Sequence, residues 1–128
     1  MQDWIWLRPA ALTALHAEQL AEHGGVNGIR DQGLLESALA RPKNLAAYGE
    51  PDVFDLAAAY TFGIAKNHPF VDGDKRAGFL AAATFLALNR QILVTSDQEV
   101  VETVLGLAAG ASSEADFASF LRANCVSA

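Results

Sequence analysis

Cysteine is all but missing from this chain: a lone Cys125 cannot close a disulfide within it, so a packed core has to hold the fold together. Near the C-terminus and with no cation beside it, that thiol reads as inert packing. Long apolar runs are lacking too. None approaches the roughly eighteen residues a helix needs to cross a bilayer, and Met1-Gln2-Asp3-Trp4 has neither the basic stretch nor the apolar segment of a secretion signal. The expectation is a soluble, cytoplasmic chain with no membrane contact. Cations are scarce: nine Lys and Arg against fifteen Asp and Glu give a net charge of −6 and a pI near 4.8. Direct nucleic-acid binding, which rests on cations neutralising phosphates, is argued against. Residues 91–121 contain no Lys or Arg but five acids, Asp97, Glu99, Glu102, Glu114 and Asp116. Such a stretch is either a solvated helical face or a receiver for a basic partner. Repeats and linkers are also absent, so 128 residues, 52% of them hydrophobic, point to a single domain over 1–128.

What is present is concentrated in His68-Pro69-Phe70-Val71-Asp72-Gly73-Asp74-Lys75-Arg76, which precedes an apolar helical run from near Ala77 to Leu88. A loop feeding a helix start leaves the first backbone N–H groups without helical partners at the positive end of the macrodipole, a setting that suits phosphate. Lys75 and Arg76 add charge to it. Gly73 lets the backbone turn its amides inward, as anion-binding loops do. Asp72 is a candidate ligand for Mg²⁺, which takes one or two carboxylates together with phosphate oxygens. His68 is placed to take a proton from an incoming hydroxyl as general base.

These residues resemble the signature of the Fic/Doc superfamily: His, any residue, Phe, any residue, Asp or Glu, Gly or Ala, Asn, Gly or Lys, Arg. The chain matches at His68, Phe70, Asp72, Gly73, Lys75 and Arg76 and departs at Asp74. Lys75, where adenylyl-transferring Fic enzymes carry glycine, and Phe79, where they usually carry a second arginine, point to the death-on-curing (Doc) toxin branch of type II toxin–antitoxin systems. The likeness extends to Leu15-His16, to Gly24-Gly25 and to the run from Gly28 to Pro42. It implies a toxin that transfers phosphate from ATP, with Mg²⁺, to a Ser or Thr hydroxyl of a protein, elongation factor Tu being the target class, and so arrests translation. His68 is then the base, Asp72 the metal ligand, and Gly73, Asp74, Lys75 and Arg76 the nucleotide-binding set, while Phe70 pins the loop. The family asparagine at position 74 donates to a nucleotide phosphate, whereas a carboxylate only accepts. Three outcomes follow: the cations outweigh Asp74, or Asp74 turns away to cap the helix, or the phosphate site is degraded. Two rival readings stand beside the kinase, an AMP transferase and a catalytically silent antitoxin-binding module. Self-inhibited Fic proteins place Gly or Asn after a Ser/Thr-x-x-x-Glu; Val100 follows Thr95 and Glu99 here. The resemblance therefore implies restraint in trans by a Phd-like antitoxin whose disordered tail folds on binding.

The remaining sequence predicts an all-α, Fic/Doc-like bundle of five or six helices, with a short flap or hairpin before the motif helices. Trp4-Ile5-Trp6-Leu7 reads as extended, its tryptophans as core anchors. Pro9 opens a helix that Gly24-Gly25 ends, and His16 within it reads as a structural histidine. Asp31 caps a helix that stops before Pro42. Residues 42–51, bounded by prolines, read as an ordinary loop or, by the resemblance, as the flap on which a target docks by strand addition. Asp52 caps the helix that delivers His68. The helix after the motif is expected to be the buried central one, Gln91-Ile92-Leu93-Val94 a strand or extended link, and Asp97 and Ser113 the caps of two last helices.

Overall fold

The computed structural model describes residues 3–128; Met1 and Gln2, the first residues of the stretch read for a secretion signal, lie outside the described residues. Six helices are present among them: α1 (Pro9–His23), α2 (Gln32–Tyr48), α3 (Val53–Asn67), α4 (Asp74–Leu88), α5 (Asp97–Ala109) and α6 (Glu114–Ala123). The architecture is all-α. A small sheet pairs β1 (Gln91–Leu93) antiparallel with β2 (Cys125–Ser127), Ile92 opposite Val126.

Local chemistry accounts for most helix ends. Pro9 stands in the first turn of α1, and Gly24, at φ 83°, closes it with its N–H on the Leu20 carbonyl. Asp31 caps α2 through the Leu34 N–H, and Asp52 and Ser113 form capping boxes with Asp55 and Asp116 at α3 and α6. At α5 the cap is Ser96 rather than Asp97, which is the first helical residue. The shorter hydroxyl reaches the Glu99 N–H, and Asp97 complements the positive helix end instead.

Two expectations are corrected. The second helix does not stop before Pro42: it runs on to Tyr48, with Pro42 buried inside it, so residues 42–51 are not a hairpin flap. A proline removes one helical hydrogen bond, to the carbonyl four residues back. That carbonyl, of Ala38, packs against Gly63 of α3, where even a Cβ would come within 3.3 Å of it. Burial of the ring and the good helix formers Leu45, Ala46 and Ala47 offset the lost bond. The second correction concerns the centre of the bundle. The most enclosed helix is α3, with ten buried residues against six in α4, and it packs on α2, α4, α5 and α6. Its run Ala57-Ala58-Ala59 and Gly63 let neighbours close in on several sides, while α4 gives its first turn to solvent.

One continuous core joins these elements around Leu12, Leu56, Tyr60, Ile64, Phe85 and Leu121. Trp6 stacks on Phe85 at 5.6 Å and Trp4 lies tilted at 6.5 Å from the same ring, so both serve as anchors for the extended N-terminal segment. The Tyr60 hydroxyl accepts the Leu7 N–H at 3.2 Å, and burial raises the Tyr60 pKa against that bond. Burial likewise raises the Cys125 thiol, in keeping with a packing role. No helix among the described residues is long and apolar enough to cross a membrane.

Candidate active site

The motif occupies the turn from α3 into α4. The third helix ends in His68, whose backbone is left-handed at φ 49° and whose N–H still reaches the Ile64 carbonyl. A non-glycine residue in that region needs support. Arg30 gives it: Nε donates to the His68 carbonyl at 2.7 Å and Nη2 to the Asn67 carbonyl at 2.9 Å. A cation thereby satisfies carbonyls at the negative end of α3. The His68 side chain itself is 57% exposed, open to an incoming group.

From His68 the chain runs beside residues 28–31 as a short strand-like pair. The Arg30 and Asp31 N–H groups donate to the Pro69 carbonyl, the Val71 N–H donates to the Gly28 carbonyl, and Ile29 bridges Phe70. Phe70 is buried and stacks on His16 with 3.9 Å between ring centroids. The backbone beside the motif is therefore 28–31, while the 42–51 stretch, read as a loop or by the resemblance as a flap, is helical up to Tyr48.

Asp72 is tied twice to what lies outside the motif. One carboxylate oxygen, Oδ2, accepts the Val26 N–H at 2.7 Å, and the backbone carbonyl lies 2.7 Å from His16 Nε2. Gly73 follows at φ 79°, and a Cβ there would meet Leu20 and His16 at 3.3 and 3.4 Å, so glycine is required by backbone and by space.

Helix α4 begins at Asp74, one turn before the apolar run, so Asp74, Lys75 and Arg76 make up its first turn. No side chain caps this end, and the first helical bond is Ala77 N–H to the Gly73 carbonyl. The amides of residues 74–76 accordingly lack helical acceptors. Lys75 and Arg76 are exposed and form no ion pair among the described residues. Asp74 turns back instead: Oδ1 accepts the Phe70 N–H at 2.9 Å, while Oδ2 stands 3.7 Å from His68 Nδ1, within ion-pair range but too far for a hydrogen bond. It thus braces the loop rather than capping its own helix.

All six site residues predicted from sequence, His68, Asp72, Gly73, Asp74, Lys75 and Arg76, line one open cleft of about 330 Å³. Among the described residues no cluster of three or more His, Cys, Asp or Glu could hold a metal. A divalent ion here needs ligands besides Asp72, whose Oδ1 has no hydrogen bond among the described residues; that matches the Mg²⁺ pattern of one carboxylate with substrate phosphate oxygens and water. The larger groove between α2 and α3, about 480 Å³, holds cations already engaged, Arg41 with Glu114 and Lys66 with the Ala108 carbonyl.

Read from sequence, Arg30 and Val26 have no role, Gly25 only helps to end a helix, and His16 is structural with no named partner. Gly24, Gly25 and Gly28 all have positive φ, and their clustering was the available signal for a special loop. A Cβ on Gly25 would lie 2.8 Å from Leu20 and 3.3 Å from Asp72, so this glycine lets the loop close on the metal-ligand candidate.

The family model described as Fic/DOC family matches residues 6–86. The chain is 32% identical over 117 residues to "Protein kinase doc" of Escherichia phage P1, covering 91% of this chain and 92% of that protein. It is 46% identical over 69 residues to "Toxin Doc" of Mycolicibacterium smegmatis, about half of each (52%).

Proposed function

Because the chain belongs to the Fic/DOC family, we propose that it is a Doc-type toxin that transfers the terminal phosphoryl group of ATP to a Ser or Thr hydroxyl of a target protein, elongation factor Tu in the first instance. One observation carries this reading. Among the described residues, an open imidazole, a carboxylate with one oxygen free of hydrogen bonds, two unpaired cations and an uncapped helix start face a single cleft.

The chemistry follows from what these groups can do. His68 accepts the proton of the target hydroxyl as its oxygen bonds to the terminal phosphorus, and the bond from that phosphorus to the bridging oxygen breaks, releasing ADP. Lys75, Arg76 and the α4 amides hold the phosphate oxygens and balance their charge. Asp72 is the residue that would hold Mg²⁺, which neutralises phosphate charge when bound. Asp74 and Arg30 contribute order, one bracing Phe70 and the other holding the His68 backbone.

Restraint of such a toxin falls to a partner, and we infer a Phd-like antitoxin. Lys75 and Arg76 also line a neighbouring groove of about 540 Å³ whose walls include Phe79, Leu80, Val101 and Leu105. A chain seated there covers the phosphate-binding cations. Its cytoplasmic setting follows from the same reading, since the target class is a translation factor.

The test is mass spectrometry of elongation factor Tu incubated with the protein, Mg²⁺ and ATP, with His68→Ala as control. A phosphate-sized gain that disappears in the variant is expected. Label from the α-phosphate instead of the γ-phosphate would establish AMP transfer, against which Lys75 and Phe79 argue. Neither label, across candidate targets, would leave the silent binding module, which Asp74 favours by placing a carboxylate among the phosphate ligands.

A further inference from the structure

Two buried polar residues occur among the described residues, Thr61 and His16. The Thr61 hydroxyl joins α3 to α4 by donating to the Gly78 carbonyl. His16 has a different position. It projects from α1, which contributes nothing to the walls of the motif cleft, and its ring meets the loop three times: stacked on Phe70, bonded to the Asp72 carbonyl, and filling the space beside the Gly73 Cα.

A carbonyl oxygen only accepts, so at 2.7 Å His16 Nε2 carries the hydrogen. That carbonyl belongs to the Asp72–Gly73 peptide unit, which is planar and trans, as no cis peptide occurs among the described residues. Its N–H therefore points opposite to its C=O. With the oxygen drawn towards α1, the Gly73 N–H is directed away from α1. Rotation of this peptide unit by half a turn would exchange the two groups, and it requires a residue after the peptide that tolerates φ of either sign. Gly73 is such a residue. The feature that lets the loop form, a glycine at φ 79°, also leaves the peptide free to turn unless something holds its oxygen.

We propose that His16 is a positioning residue of this site: by donating Nε2–H to the Asp72 carbonyl it locks the Asp72–Gly73 peptide so that an N–H, not a C=O, joins the phosphate-binding amides of α4. The role rests on the reading of the cleft as a phosphate site. It gives α1 a function in nucleotide binding without a residue that touches nucleotide. A reversed peptide would turn a carbonyl's negative end towards phosphate, and the Asp72 side chain would shift with its backbone.

The experiment uses the full chain and three proteins. His16→Gln places an amide N–H near the position of Nε2 and keeps the donor. His16→Phe keeps the aromatic stack on Phe70 and removes the donor. Binding of ATP with Mg²⁺ is measured by calorimetry, and the Gly73 amide resonance by ¹⁵N-labelled NMR with and without nucleotide. His16→Phe is expected to weaken binding about tenfold, and His16→Gln to remain within roughly threefold of the parent, since one carries and the other lacks the hydrogen bond. In the parent and His16→Gln the Gly73 amide shifts on adding nucleotide; in His16→Phe it shifts far less. Equal affinity in the parent and His16→Phe overturns the lock. Equal losses in both variants, with equal drops in melting temperature, overturn it as well, because the histidine is then only packing. A parent protein that binds no ATP refutes the phosphate-site reading itself, and the role falls with it.

Discussion

Asp74→Asn separates the two properties that a carboxylate brings to this position. Oδ1 accepts the Phe70 N–H at 2.9 Å, and asparagine presents an equivalent oxygen, so the brace survives the substitution. What changes is charge. The side chain is only 11% exposed and sits in the first turn of α4 beside Lys75 and Arg76, where nucleotide phosphates would bind. Two like charges about 4 Å apart at an effective dielectric near 20 repel by roughly 4 kcal/mol, and about 2 kcal/mol at twice that separation. Against this, a carboxylate at a helix start is stabilised by about 0.3–1 kcal/mol, which asparagine gives up. The net expectation is tighter binding of ATP, by one to two orders of magnitude if roughly 2 kcal/mol is recovered, and a melting temperature lower by about 2 °C. Calorimetric titration of the parent and the variant, in the same buffer and at the same Mg²⁺ concentration, reads the first quantity. An unchanged or weaker affinity in Asp74→Asn would refute the argument, because it would mean that the brace, not the charge, governs how position 74 affects the nucleotide.

Arg30→Ala releases the His68 and Asn67 carbonyls and with them the left-handed His68 backbone. Charged hydrogen bonds of this kind contribute about 1.5–3 kcal/mol, so a clear fall in melting temperature and an activity loss larger in kcat than in KM are expected; a variant of full activity would show that His68 holds its position unaided. Gly63→Ala sets the helix-propensity gain of up to about 1 kcal/mol against overpacking worth roughly 1–3 kcal/mol. The added Cβ meets the Ala38 Cα at 3.2 Å and its carbonyl at 3.3 Å, backbone atoms that cannot rotate away. Destabilisation is therefore expected in a denaturant titration, and a gain would sink the close-contact account of α2 on α3. Burial of Asp52 raises its pKa, but the Asp55 N–H and Arg122 outweigh burial and leave it below its ordinary 3.8. A lowered acid adds stability that is complete above 3.8 and is lost as the pH falls through its folded value. Since both partners are more than 40% exposed, the effect is small, below about 1 kcal/mol. The stability gap between the parent and Arg122→Ala should narrow under acid, and a gap that widens there would contradict the sign.

The parts of the fold legible in the sequence are those written in short-range chemistry. Asp31, Asp52 and Ser113 each lie within three residues of the amide they satisfy, so a local reading finds them. Pro42 misled because its missing hydrogen bond is offset by burial of its ring and by the helix formers that follow, and the burial comes from tertiary packing that no local pattern records. The choice between α3 and α4 as the central helix failed for a related reason: both are rich in alanine, and only packing shows which is enclosed on more sides. β2 has no signal apart from its pairing with β1. At the site, the motif residues were identifiable because one nine-residue stretch holds them, whereas Arg30 reaches His68 across 38 positions and His16 reaches Asp72 across 56.

That division bears on how the motif departs from its family. Held only from within, by the Asp74–Phe70 bond, the loop would depend on every one of its own residues. It is instead fastened from outside at His68 by Arg30, at Phe70 by His16 and Ile29, at Val71 by Gly28, and at Asp72 by His16 and Val26. Several contacts from outside thus set its conformation, and a substitution that preserves each of them leaves that conformation in place. Asparagine and aspartate both supply the oxygen for Phe70, and only asparagine supplies a donor for phosphate. The exchange at position 74 therefore leaves the shape of the loop intact and falls on its affinity for the nucleotide. Lys75 and Arg76, which form no ion pair among the described residues, are the groups able to compensate. Their removal should weaken nucleotide binding while leaving the melting temperature close to that of the parent, whereas removal of Arg30 should lower the melting temperature and kcat.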